Sequence, residues 1–168
     1  SVLAEAKKLD AKGKPMIHLG LGQPDFKTPK HIVDAAKKAL DDGHHGYVLS
    51  NGILECRQAV TRKIKKLYNQ DIDPERIIIM PGGKPTMSYA IQCFGEPGVE
   101  IVHPTPAFPI YESMINFTGA KPVPYDLTED KDLKFNPEKI LSLITEKTKL
   151  LILINPNNPT GSFVDKSD

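Results

Sequence analysis

Apolar positions in this 168-residue chain follow helical spacing first, and then alternate between helical and strand-like runs. Ile53, Cys56, Val60, Ile64 and Leu67 share one face of a predicted helix over 52–68, and a second helix is predicted over 30–42, ending at Gly43. Short apolar runs predict strands at 76–80, 99–103, 121–125 and 149–154. Between them, helices are predicted near 85–94, 107–117 and 136–145, the last opened by an Asn136 cap with Pro137 in the first turn. The order is helix, strand, loop and two helices, followed by strand and helix in alternation. Such alternation predicts a doubly wound α/β sheet, mostly parallel, with helices on both faces.

Two junctions carry candidate chemistry. Residues 150–154, Leu-Leu-Ile-Leu-Ile, lack polar alternation, as expected of a central strand covered on both faces. They run into Asn155-Pro156-Asn157-Asn158-Pro159-Thr160-Gly161, where two prolines stiffen a turn and three amides present hydrogen-bonding groups at the strand end. In open α/β sheets, ligands bind at the carboxyl ends of strands. The second junction, Pro81-Gly82-Gly83-Lys84-Pro85, joins a predicted strand to a helix. Glycines there allow close backbone approach, and a helix N-terminus favours an anion. The spacing is not that of a Walker A loop, which needs Gly where Ile78 stands and Ser or Thr where Pro85 stands. Lys84 either adds charge to the junction or points to solvent. Leu19-Gly20-Leu21-Gly22-Gln23-Pro24-Asp25-Phe26 is a poor dinucleotide fingerprint, because Asp25 replaces the last glycine and Pro24 spoils the helix start.

Composition narrows the function classes. Formal net charge is +1 with both signs interspersed, which argues against a nucleic-acid stripe or a membrane-binding face. No apolar run approaches the roughly 20 residues of a membrane span, and the N-terminus reads as a Lys-rich amphipathic helix. The two cysteines, Cys56 and Cys93, have neither metal-ligand nor disulfide spacing, and they are expected to be buried thiols in a reducing cytoplasm. No metal site is expected. His18, His44 and His45 show no partner at a useful spacing, and Asn116-Phe117-Thr118 is a chance sequon in the absence of a secretory signal.

The Asn155–Gly161 motif resembles the signature of the class I and II aminotransferases, fold type I enzymes that use pyridoxal 5'-phosphate (PLP). Similar order and spacing extend from about Ile17 to the C-terminus. The resemblance implies that Gly83 and Lys84, introduced by Gly82, lend backbone amides to the PLP phosphate. It implies that Phe108, in Pro106-Ala107-Phe108-Pro109-Ile110-Tyr111, stacks on the cofactor ring. Asn158 would donate to the phenolic oxygen, with the Asn158–Pro159 bond cis. Tyr47-Val48-Leu49-Ser50-Asn51-Gly52-Ile53-Leu54-Glu55-Cys56-Arg57 is similar to the family's Tyr-x4-Gly-x2-Glu-x-Arg segment. There Tyr47 would reach the phosphate of a neighbouring subunit, which implies a homodimer, while Glu55 and Arg57 are read as structural. Gly22 would lie near the substrate carboxylate.

By the same resemblance, residues 1–45 contribute to a small domain and a substrate loop, and residues 46–168 form the first part of a PLP-binding large domain. The expected reaction moves an amino group between an amino acid and a 2-oxo acid. The alternatives are a PLP-dependent lyase of the same fold and a non-catalytic remnant that binds a phosphorylated ligand. No lysine here matches the family's Schiff-base position, so no catalytic residue is assigned. The arginines Arg57, Arg62 and Arg76 do not match its carboxylate-binding arginine. In the family, later sequence supplies the strands between those at 76–80 and 149–154. Together with the missing initiating Met, this leads to the expectation that the chain is an N-terminal portion, inactive alone.

Overall fold

The computed structural model describes residues 2–20, 22–127 and 132–165. These fall into two compact units divided between Val48 and Leu49. The first holds α1 (Val2–Ala11) and α2 (Lys30–Asp41). The second runs α3 (Leu54–Tyr68), a 3-10 turn (Pro74–Arg76), α4 (Gly83–Phe94), β1 (Glu100–Thr105), α5 (Ile110–Thr118), β2 (Lys121–Asp126), α6 (Pro137–Leu143) and β3 (Thr148–Leu151).

The sheet is parallel, with order β2-β1-β3. Side chains of the central strand alternate between two apolar layers. Ile101 joins Ile91 of α4 and Tyr111 and Ile115 of α5 on one face, while Val102 joins Tyr125 and Ile140 of α6 on the other. Helices therefore cover both faces, as the doubly wound pattern requires. Tyr125 anchors the α6 side: its hydroxyl donates to the Ile152 carbonyl at 3.0 Å, and its ring meets Phe135 edge to face. Burial pushes its phenol up to about 12. At the start of β1, Glu100 accepts from Lys121 of β2 at 2.9 Å and from the Thr145 hydroxyl at 2.7 Å. These bonds hold its carboxyl below the ordinary range, so its contribution is present at neutral pH and lost as pH falls through the lowered value.

Prolines set the limits of the sheet. The backbone amides of Lys121 and Leu127 bond to β1, so the even positions of β2 turn their nitrogens toward the open edge. Pro122 and Pro124 occupy two of those three positions and remove their donors, which leaves the edge poorly suited to recruit another strand. In β1, Pro104 would aim its nitrogen toward β3, and the β1–β3 ladder ends at Val102–Leu151. Beyond that point the two chains separate, and the Asn155–Ser162 turn sits at the widening.

The strand predicted at 76–80, and the one placed without bounds after the first helix, are absent. Neither 12–20 nor 76–80 forms a ladder among the described residues. In 77–80 the Ile79 amide bonds to the Asn51 carbonyl at 3.1 Å, outside any sheet. A strand needs a ladder partner, and among the described residues this segment has a single backbone bond to the loop before α3 and no ladder. The segment is instead tied to α3 through Arg57, which is only 2 % exposed. Its guanidinium donates to the carbonyls of Gly52 at 3.2 Å and Pro74 at 3.1 Å and to Glu75 at 2.7 Å. Gly52 has φ +93°, and a Cβ there would lie 2.8 Å from the Ile79 side chain. The loop before α3 and the run toward Gly82 thus pack too closely for any other residue.

Candidate functional site

The extended run 77–80 delivers the chain to Gly82, whose φ of +102° favours glycine and whose amide bonds back to the Met80 carbonyl at 2.8 Å. α4 begins at the next residue without a side-chain cap, and Pro85 in its first turn carries no N–H. The amides of Gly83 and Lys84 consequently sit at a positive helix end with no side-chain acceptor assigned to them.

Phe108 lies three residues beyond β1, packed against the α4–α5 apolar layer. Lys84 extends across to it, with its ammonium 5.6 Å from the ring centroid. This resolves the orientation left open by sequence: the Lys84 side chain caps an aromatic face, a contact worth about 0.5–2 kcal/mol. The Gly82–Lys84 helix start and Phe108 are thereby brought together. A ligand with a flat ring and an anionic group would meet both within one span. Beside Phe108, a groove is also lined by His103, Tyr111 and Glu112, and burial raises the Tyr111 phenol.

The turn after β3 is closed by two of its own asparagines. Asn155 exchanges side-chain bonds with the Val164 backbone at 3.0 and 3.1 Å. Asn157, 7 % exposed, donates from its amide to Thr160 Oγ1 at 2.8 Å and to the Pro106 carbonyl at 3.4 Å. Its backbone pairs with Gly161 and Ser162 at 2.8 Å each. Of the three amides singled out by sequence, two are consumed by the turn. Asn158 is exposed and is the one of the three whose side chain makes no hydrogen bond among the described residues. The Asn158–Pro159 bond is cis, as expected, as are Thr105–Pro106 and Asn155–Pro156. Because Asn157 bonds to Pro106, the Asn158 turn and the Phe108 segment share the carboxyl edge of the sheet.

Gly22 and Tyr47 belong to the first unit, and both are exposed. Leu21, in the same loop as Gly22, lies outside the described residues. His18 departs from expectation, since its Nε2 meets Asp10 Oδ2 at 2.6 Å. That pairing links a helix to a loop eight residues on, a contact that linear spacing does not announce. Cys93 is exposed and Cys56 half-buried, so neither is the buried thiol expected from composition. Cys93 lies in the last turn of α4. No cluster of metal-ligating side chains and no helix long and apolar enough to cross a membrane occurs among the described residues.

Sequence missed the parts that Thr160, inside the motif, and Ser162, just after it, play in closing the turn, and that position is their only signal. Arg57, read from sequence as structural, is a buried anchor.

Comparison with known proteins places this arrangement in a family. The model for aminotransferase class I and II matches residues 14–168. The aspartate aminotransferase of Bacillus subtilis is 37% identical over 161 residues, covering 96% of this chain and 41% of that protein. A probable aspartate aminotransferase of Methanocaldococcus jannaschii is 42% identical over 150 residues, covering 89% and 40%. Among solved structures, an alanine aminotransferase from Pyrococcus furiosus superposes with a TM-score of 0.92 at 35% identity, over 99% of this chain and 43% of that one. The chain thus spans about two-fifths of the length of these relatives. By its family match over nearly the whole length, the chain belongs to the class I and II aminotransferases.

Proposed function

We propose that this chain is the N-terminal portion of a PLP-dependent enzyme that transfers an amino group between an amino acid and a 2-oxo acid. The observation that carries the reading is the meeting of the α4 start, Phe108 and the Asn158 turn at one sheet edge in a chain of this family. The donor set suits PLP: amides at a helix end and a cation for a phosphate, an aromatic face for a pyridine ring, and a free amide for a phenolic oxygen. When bound, the cofactor supplies an electron sink for the substrate carbon.

In this reading, Gly83 and Lys84 hold the phosphate through backbone amides, and Gly82 permits their approach. Phe108 orients the ring by stacking, and Asn158 donates a hydrogen bond to the phenolic oxygen. Tyr47 donates to the phosphate in a second subunit of a homodimer. Gly22 leaves space for the substrate carboxylate. Residues 1–45 contribute to a small domain and 46–168 to the cofactor-binding domain of a cytoplasmic enzyme, with the cofactor-bearing lysine outside residues 1–168.

The test is an exchange assay on the whole protein loaded with PLP, using a panel of amino acids and 2-oxo acids. Paired appearance of the new amino acid and the new oxo acid is expected. Release of ammonia or a thiol without exchange would contradict the transferase reading.

A further inference from the structure

We propose that Ser162 is a positioning residue for the cofactor turn, acting through an ordered hydroxyl chain that runs from Asn157 through Thr160 and Ser162 to the carbonyl of Leu133. The inference rests on the proposed role of Asn158, and it concerns what keeps that amide in place.

The direction of the chain follows from which atoms can donate. A backbone carbonyl accepts only, so the Ser162 hydroxyl must give its proton to Leu133 O at 2.9 Å. The Thr160–Ser162 contact, at 2.7 Å, could run either way in isolation. With the Ser162 proton committed, Thr160 is the donor there. Thr160 Oγ1 then accepts from the Asn157 amide at 2.8 Å and the Ser162 backbone at 3.3 Å. Exchanging the nitrogen and oxygen of Asn157 would set its oxygen against the Pro106 carbonyl, two acceptors face to face. The amide orientation is therefore fixed, even though it leaves Asn157 Oδ1 buried without a partner.

This chain crosses between segments. Asn157 ties the turn to the end of β1, and Ser162 ties it to the segment before α6, where Asp132 and Leu133 both have positive φ. Asn158 itself has no side-chain bond to hold it among the described residues. Its placement depends on neighbours clamped on either side, and Ser162 supplies the side-chain link from this turn to Leu133 in the segment before α6.

Ser162→Ala and Ser162→Thr in the full-length enzyme test the assignment, with Asn158→Ala as reference. Two readouts are used: the pKa from the pH-dependent visible absorption of the bound cofactor, and exchange of the Gly161 amide in the PLP-free enzyme. Ser162→Ala should raise the spectral pKa by about 0.5 unit, part of the Asn158→Ala shift, and speed Gly161 exchange roughly tenfold. Ser162→Thr should restore both. A Ser162→Ala enzyme with unchanged spectral pKa, whether or not its melting temperature falls, overturns the inference while Asn158→Ala still shifts the titration. A protein that takes up no PLP overturns the proposed function and the inference with it.

Discussion

Replacing Arg57 by Met keeps the length and apolar stem of the side chain and removes its charge and donors. The guanidinium is buried, and it bonds to two neutral carbonyls and one carboxylate. Glu75 is 67% exposed, so the ion pair itself is largely screened and is worth about 0–1 kcal/mol. The carbonyl bonds dominate, because a charged donor to a carbonyl contributes about 1.5–3 kcal/mol and both acceptors lose their partner together. These terms are not additive, and Arg57→Met should cost about 3–5 kcal/mol, whereas Glu75→Gln should cost under about 1. Urea unfolding of the PLP-free full-length protein, followed by circular dichroism, measures both. At a slope of about 2 kcal/mol/M, the midpoint should fall by roughly 1.5–2.5 M for Arg57→Met and under about 0.5 M for Glu75→Gln. Cofactor affinity should fall with the first variant alone, since Arg57 holds the loop against which the run to Gly82 packs. Equal losses from the two variants would refute the reasoning, because the exposed ion pair would then be the source of the stability.

Gly52→Ala should destabilise by about 2–4 kcal/mol, combining the positive φ with the clash against Ile79, and a melting-temperature shift checks it. Tyr125 makes stability fall with rising pH from about 10 to 12, since the unfolded phenol ionises first and the folded one is held protonated to about 12. The loss should be on the order of 1–2 kcal/mol after solvent screening, and Tyr125→Phe should flatten that limb in alkaline unfolding curves while costing about 1 kcal/mol at neutral pH. Asn158→Ala should raise the spectral pKa of the bound cofactor by about one or two units, because a donor that favours the deprotonated form is lost. Tyr47→Phe should weaken PLP binding and leave that pKa nearly unchanged, and spectrophotometric titration of both variants separates the roles.

The helices and the strands β1, β2 and β3 were legible because each carries its own periodicity and its own stops. The Asn136 cap is a clear case, since its side chain accepts from the Lys139 amide at 3.0 Å. Residues 77–80 mislead for a physical reason. Their apolar run has strand character, but pairing is a property of a neighbour and leaves no trace in the segment itself. The motifs located the carboxyl edge correctly, yet three asparagines in seven residues look alike in sequence. Only the closed turn shows that Asn155 and Asn157 are spent internally and Asn158 is free. Lys84 is similar: its spacing permits either solvent or Phe108, and the fold selects the ring. Arg57 and His18 depend on contacts from other segments, which no local pattern encodes.

Residues 1–168 are proposed to cradle PLP while the lysine that bears it lies elsewhere in the whole protein. Borohydride reduction of the PLP-loaded full-length protein, followed by peptide mapping, tests this most directly. The account predicts one stoichiometric phosphopyridoxyl adduct, on a lysine outside residues 1–168. A specific, stoichiometric adduct on a lysine within them, Lys84 above all, would contradict it.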